Sequence, residues 1–264
     1  MFIIGERING MFKDVAEAIK KKDKGTIQDL AKKQTVSGAS ALDVNVGPAS
    51  ANPKETMEWL VNAITEVSNL PLAIDTTKID VMEAGLAACK SKAIINSANA
   101  NEDKMNPLFE LAKKYNASLI ALTMDKAGIP KDADGRLELA MKIVAAYIEH
   151  GLDVSELYID AVILPVNVAQ DQAREVLRTI RESKLLADPA PKTILGLSNV
   201  SQGAPQKHKG IINRTFLTMA LAAGLDAAIM DAADEKLVDA AITTDLLLEK
   251  QLYCDSYLEA YRKK

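Results

Sequence analysis

Residues 193–202 read TILGLSNVSQ. A short run of apolar and small residues rises as a strand. The chain then turns polar without a single charge, through Ser198, Asn199, Ser201 and Gln202. The same grammar recurs along the chain: a short apolar run closed by a small polar or acidic residue. ALDVN closes at Asn45, LAID at Asp75, AIIN at Asn96 and LYID at Asp160. Runs that are apolar at nearly every position mark strands buried on both faces, hence a parallel sheet covered by helices.

Eight such strands can be drawn, at 2–5, 41–45, 72–75, 93–96, 118–122, 157–160, 193–196 and 227–230. Helical patterns fill the intervals at 26–37, 53–68, 79–88, 104–115, 136–150, 173–184, 215–223 and 235–249. Pro53 stands at a helix start, and Gly38, Asn116 and Gly224 stand where helices stop. This alternation predicts the α/β class and a (β/α)8 TIM barrel, with residues 1–264 as one domain. A doubly wound open sheet would show a Gly-rich turn after the first strand. ERINGMF stands there instead. The charge run at 20–24 reads as a solvated helix end, and 255–264 as an appended tail.

In such a barrel the active site lies at the C-terminal ends of the strands. Asp75, Asn96 and Asp160 therefore meet at one mouth, and Asn199 sits where the chemistry occurs. A carboxylate accepts two parallel hydrogen bonds and matches adjacent N–H donors of a flat aminopyrimidinone ring. An Asn amide, with one face donating and one accepting, matches a mixed ring edge. A plainer role competes at Asp75, which precedes Thr76, Thr77 and a helix and has the chemistry of a helix cap. Asp160 is followed by AVILPVN and has no helix to cap at once. The pattern leaves the direction of Asp43 open. Glu6, Arg7 and Asn9 follow strand one, where they either pair with each other or meet a ligand. Residues 198–210 read as a long polar loop holding Gln202, Lys207, His208 and Lys209. Asp125 and Lys126 read as a surface loop.

Composition narrows the function classes. The chain has 264 residues, 48% of them hydrophobic, enough for a full core. A net charge of −4 disfavours nucleic acid, which needs a basic face. Two cysteines without CxxC spacing and two histidines supply little for a disulfide framework or a metal site, so no metal is expected. Glu6 and Arg7 interrupt the apolar core that an export signal needs. The apolar run at 216–225 is too short to cross a bilayer. These features predict a cytoplasmic protein with no membrane partner. Without a nucleophile–base pair or an anion-binding Gly motif, the protein is expected to position and polarise reactants whose reactivity comes from cofactors.

The segments IIGERING, ALDVNVGP, MEWLV, AIDTT, INSANA, LTMDKAGIPKD, YIDAVILPVNVAQD and ILGLSNVSQ followed by INRTFL resemble the methyltetrahydrofolate:corrinoid/iron–sulfur protein methyltransferases. The similarity runs through YCDSY, essentially the whole chain. It implies a homodimeric pterin-binding barrel of the acetyl-CoA pathway of carbon fixation. Such an enzyme moves the N5 methyl group of methyltetrahydrofolate, its substrate, to the Co(I) corrinoid of a separate corrinoid/iron–sulfur protein. Carried over by residue, Asp75, Asn96 and Asp160 bind the pterin, with Gly196, Ser198 and Gln202 as further substrate positions. Asn199 bonds the N5 region, and Asn199 with Asp160 forms the catalytic pair. A basic residue, Lys207 or Lys209, approaches the folate tail or the corrinoid. The chain lacks a DxHxxG lower-ligand motif, which fits a cobalamin-type cofactor brought by the partner. Dihydropteroate synthase shares the pterin barrel but would show a GGESTRPG-like loop and an SRK-like stretch, where this chain has VNVGPAS and LSNVSQ. Two alternatives are methyl transfer to another corrinoid protein and folate binding without catalysis.

Overall fold

The computed structural model describes residues 1–48 and 50–253. The chain runs β1 (Phe2–Asn9), α1 (Lys13–Lys21), α2 (Lys24–Val36), β2 (Ala41–Asn45), α3 (Pro53–Thr65), β3 (Leu72–Asp75), α4 (Ile79–Ala88) and β4 (Ala93–Asn99). It continues through α5 (Glu102–Tyr115), β5 (Ser118–Leu122), α6 (Ala133–Glu149), β6 (Leu157–Asp160), α7 (Val166–Ala169), α8 (Gln172–Ser183), β7 (Lys192–Gly196), α9 (Gln206–Ala222), β8 (Ala227–Met230) and α10 (Glu235–Leu247). The strands close in sequence order into a parallel barrel, β8 pairing with β1. This is the (β/α)8 barrel that the strand–helix alternation predicts. No helix among the described residues is long and apolar enough to cross a membrane.

Each strand buries both faces, as its near-continuous apolar run requires. Leu42, Val44, Leu72 and Ile74 face the helices, where Met57, Leu60 and Phe109 are likewise fully buried. Burial of one such side chain contributes about 1.5–3 kcal/mol. Asp23, Asp132 and Asp234 cap α2, α6 and α10 by accepting from backbone N–H groups.

The structure departs from the sequence expectation at four places. β1 and β4 run on to Asn9 and Asn99, past register irregularities that lie between Gly5 and Ile8 and between Asn96 and Ala98. Such bulges keep polar residues in a strand while re-aiming their side chains. Residues 13–21 form α1, so the charge run at its end is indeed a helix end. A four-residue helix, α7, interrupts the segment after β6. Finally, the long polar loop at 198–210 is mostly helical: a 3₁₀ turn covers Leu197–Ser201 and α9 begins at Gln206. The appended tail and Cys254 lie outside the described residues.

Candidate active site

Strand periodicity decides what fills the mouth. The inward layer at mid-barrel is Ile4, Ala41, Ala73, Ile94, Ile120, Tyr158, Ile194 and Ala227. Side chains two positions further along each strand point the same way. Counting on by two gives Glu6, Asp43, Asp75, Asn96, Leu122, Asp160, Gly196 and Ile229. Thus apolar barrel filling gives way within one layer to four carboxyl groups and a carboxamide.

These groups are held by neutral partners. The Asn96 Nδ2 donates to Asp43 Oδ1 at 2.9 Å, both side chains being buried. The Asn45 Nδ2 donates to Asp75 Oδ2 at 2.6 Å, while Asn45 Oδ1 accepts from the Gly47 N–H at 2.6 Å. Gly47 has φ of 66°, a left-handed conformation that glycine adopts without a steric penalty. The turn read from NVGP therefore aims Asn45 at Asp75. Asp75 does not cap α4, whose N-cap position is Lys78. Asp160 Oδ1 accepts from the Val162 N–H at 2.7 Å, and the Gly196 backbone supports the same carboxyl.

Burial without a paired cation raises the proton affinity of these acids. Desolvation pushes Asp160 up to about 6, against the Val162 and Gly196 backbone bonds and the charge of Arg136. Desolvation likewise pushes Glu6 up to about 7, opposed by the Ser198 hydrogen bond and reinforced by Asp231. Asp43 lies well above the ordinary carboxylate range, through burial and then the nearby Asp75 charge. Asp75 is raised by burial, with Asn45 opposing. The mouth can therefore grip donor-rich ring edges and hold or release protons near neutral pH.

The 3₁₀ turn after β7 brings the uncharged residues to this rim. Asn199 is exposed, and its amide folds back over Gly196. A Cβ on Gly196 would lie 3.0 Å from Asn199 Nδ2. Ser198 donates from Oγ to Glu6 Oε1 at 2.8 Å. Gln202 is exposed at the end of the turn. Lys207, His208 and Lys209 belong to the first turn of α9, not to a loop. Lys207 and Lys209 line a cavity together with Glu6, Ser198 and Asp231.

Several groups at the mouth escape sequence reading. Asp43 is an inward member of the ring; the period-2 step from Asn45 is the signal that places it. Arg136 is fully buried and donates from Nη2 to Gln172 Oε1 at 2.8 Å. Nothing in its local sequence marks it off from a surface helix residue. Gln34 on α2 accepts from the Arg7 N–H at 2.9 Å, satisfying the bulge of β1. Gly5 makes room for it, since a Cβ there would lie 2.4 Å from Gln34 Oε1. Asp125 accepts from the Ala127 N–H in a local turn, and Lys126 pairs with Asp103 in an exposed ion pair, as a surface loop does.

Comparison with known proteins gives a consistent picture. The family model described as "Pterin binding enzyme" matches residues 6–231. A methylcorrinoid:tetrahydrofolate methyltransferase of Eubacterium limosum is 30% identical over 265 residues, covering 100% of this chain and 97% of that protein. The methionine synthase of Mycobacterium leprae (strain TN) is 33% identical over 244 residues, which are 88% of this chain and 20% of that longer protein. Among solved structures, Yersinia pestis DHPS with a pterine-sulfa conjugate superposes with a TM-score of 0.70 at 14% identity, covering 95% of this chain and 94% of that one. Dihydropteroate synthase from Xanthomonas albilineans in complex with 7,8-dihydropteroate gives 0.69 at 15% identity, with coverage of 95% and 94%. At these identities the structural likeness speaks for the fold alone.

Proposed function

The chain belongs to the pterin-binding enzyme family, and from that membership we propose that it is a methyltransferase working between methyltetrahydrofolate and a corrinoid carried by a partner protein. One observation carries the reading: an uncharged amide, Asn199, packs on Gly196 at the rim of a mouth whose acids are held by neutral hydrogen-bond partners and, among the described residues, form no salt bridge, Asp160 feeling the Arg136 charge only at a distance. Asp75, Asn96 and Asp160 grip the pterin edge, the carboxyls accepting from its N–H donors. Gly196, Ser198 and Gln202 complete the wall, and Lys207 or Lys209 faces the anionic tail.

The chemistry asks little else of the protein. The corrinoid supplies a strong Co(I) nucleophile. The N5 nitrogen is a poor leaving group until it gains positive character. As the methyl carbon bonds to cobalt, the C–N5 bond breaks, its electron pair stays on N5, and N5 takes a proton. Asn199 donates to N5 in the transition state, where the hydrogen bond is worth most. Asp160, with its proton affinity raised toward neutrality, anchors the same network. Microscopic reversibility makes these residues serve the reverse transfer as well, the direction that the Eubacterium limosum enzyme's name describes.

The partner is a corrinoid/iron–sulfur protein of the acetyl-CoA pathway, and the enzyme acts as a cytoplasmic homodimer. A different corrinoid protein as acceptor is the second reading, supported by the match of 88% of this chain to 20% of a longer methionine synthase. The test is anaerobic mixing of the protein with methyltetrahydrofolate and cob(I)alamin. Loss of Co(I) absorbance at a rate set by enzyme concentration supports methyl transfer. Folate binding without that loss overturns it in favour of a binding protein. Repeating the assay with a purified corrinoid/iron–sulfur protein and with other corrinoid proteins ranks the acceptors by kcat/KM.

A further inference from the structure

Two acids of the mouth layer lie outside the ring grip: Asp43 accepts from Asn96, a gripping residue, whereas Glu6 serves none of the gripping residues. Glu6 is tied across 192 residues of sequence to Ser198, whose Oγ donates to Glu6 Oε1 at 2.8 Å. Ser198 directly precedes Asn199 in the 3₁₀ turn Leu197–Ser201. The cation nearest in sequence is occupied elsewhere: Arg7 donates from Nη2 to Asp14 at 2.6 Å and stacks over the Phe12 ring at 4.1 Å. A cavity of about 410 Å³ is lined by Glu6 and Ser198 together with Lys207, Lys209 and Arg214 of α9.

We propose that Glu6 is a positioning residue for the methyl transfer: through the Ser198 hydroxyl it holds the turn that presents Asn199, and its protonation state sets how firmly. The inference rests on the assignment of Asn199 as the group that polarises N5. Ionised, Glu6 accepts from Ser198 in a charge-assisted bond, roughly twice as strong as a neutral one. Protonated, it is a weaker acceptor and presents an O–H that competes for the Ser198 oxygen, so the hydroxyl no longer has one fixed partner. The charges facing Glu6 come from every neighbouring element. Asp231 after β8 and Asp43 on β2 favour the protonated form and Arg7 the ionised one, while Asp234 before α10 and Lys207, Lys209 and Arg214 of α9 line the cavity beside it.

The test uses the full-length protein with the substitutions Glu6→Gln, Glu6→Asp and Ser198→Ala. Single-turnover methylation of cob(I)alamin is followed from pH 5.5 to 8.5. In the unsubstituted protein the rate is expected to carry a limb that rises with pH near 7. Glu6→Gln is expected to remove that limb and to slow transfer about tenfold at pH 8, with folate affinity within threefold. Ser198→Ala is expected to remove the same limb and to slow transfer at pH 8, and the double variant to be no slower than the slower single one, as for residues acting through one bond. Glu6→Asp is expected to retain a pH limb. A limb that persists in Glu6→Gln, or additive losses in the double variant, overturns the proposal.

A second readout does not depend on catalysis. The side-chain amide NMR signals of Asn199, assigned by their loss in Asn199→Ala, are expected to titrate near pH 7 and to be flat in Glu6→Gln and in Ser198→Ala. Absence of methyl transfer from the unsubstituted protein would defeat the proposed function, and the NMR titration would still decide the role of Glu6. Asn199 signals that ignore pH in the unsubstituted protein overturn the inference outright.

Discussion

The two ends of the barrel handle charge in opposite ways. At the foot, where strands begin, buried and half-buried acids meet cations or converging donors. Lys184 pairs with Asp226, which also accepts from the Thr193 N–H at 2.6 Å. Lys92 pairs with Glu156 at 2.7 Å, and Ser118 donates to the same carboxylate. Burial pushes Glu156 upward, but Lys92 and Ser118 hold it below the usual range. Lys192 lies over the Tyr158 ring at 5.1 Å. At the mouth, Glu6, Asp43, Asp75 and Asp160 have hydroxyl, amide and backbone partners, and all four are shifted upward. Folding alone would favour the arrangement at the foot. Keeping unpaired acids at the mouth costs stability, a cost that marks a site arranged for something other than the fold.

The sharpest way to break this contrast is to remove one acid from each end. Asp75→Ala takes away the bidentate acceptor proposed for the pterin edge. It should lower kcat/KM for methyltetrahydrofolate about 100-fold or more, because the ring's donors are then left unpaired. Its melting temperature should change little or rise. Asp226→Ala at the foot strips partners from Lys184, the Thr193 N–H and the Thr193 hydroxyl. Loss of these bonds should destabilise by about 2–3 kcal/mol in denaturant titrations, with kcat unaltered.

A gentler test turns on pH. Glu6 and Asp160 bind protons more tightly folded than unfolded, so their contribution to stability is full in acid and is lost as pH rises through about 6 and about 7. Glu6→Gln and Asp160→Asn should therefore each unfold at higher denaturant than the unsubstituted protein at pH 8. The gain should be about 1–2 kcal/mol, shrinking to nothing near pH 4. A constant gain across that range would assign the effect to packing instead. The smallest expected effect comes from Gly196→Ala, whose Cβ would meet Asn199 Nδ2 at 3.0 Å. Displacing that flexible amide should slow methyl transfer several-fold, about 1 kcal/mol in barrier, with stability nearly unchanged.

The barrel was legible in sequence because its signals are local and repeated. ALDVN, LAID, SLIAL and LYID each coincide with a strand, and each carries its own buried-on-both-faces pattern. What escaped was set by contacts between distant residues. β1 and β4 continue through Glu6–Arg7 and Ser97–Asn99, polar stretches that read as loop because the irregular register permitting them is a property of the strand pair. The first turn of α9, QKHKG, has no apolar face; Pro205 at its N-cap was the available signal. The inward aim of Asp43 follows from alternation once Asn45 and Asp75 are known to meet. Arg136 is invisible by its own sequence context, since only the closed barrel turns that helix face inward; Gln34 falls at the helical spacing of Ile27, Leu30 and Ala31, which marks its face but not its partner.

The most direct measurement is stopped-flow loss of Co(I) absorbance under anaerobic conditions, with methyltetrahydrofolate saturating, for the unsubstituted protein and for Asn199→Ala. An uncharged amide that polarises N5 at a mouth of unpaired acids requires a rate loss of about 100-fold or more in the variant, with folate affinity within a few-fold. A variant that transfers methyl groups within about threefold of the unsubstituted rate contradicts the account, since a lost transition-state hydrogen bond costs far more than that.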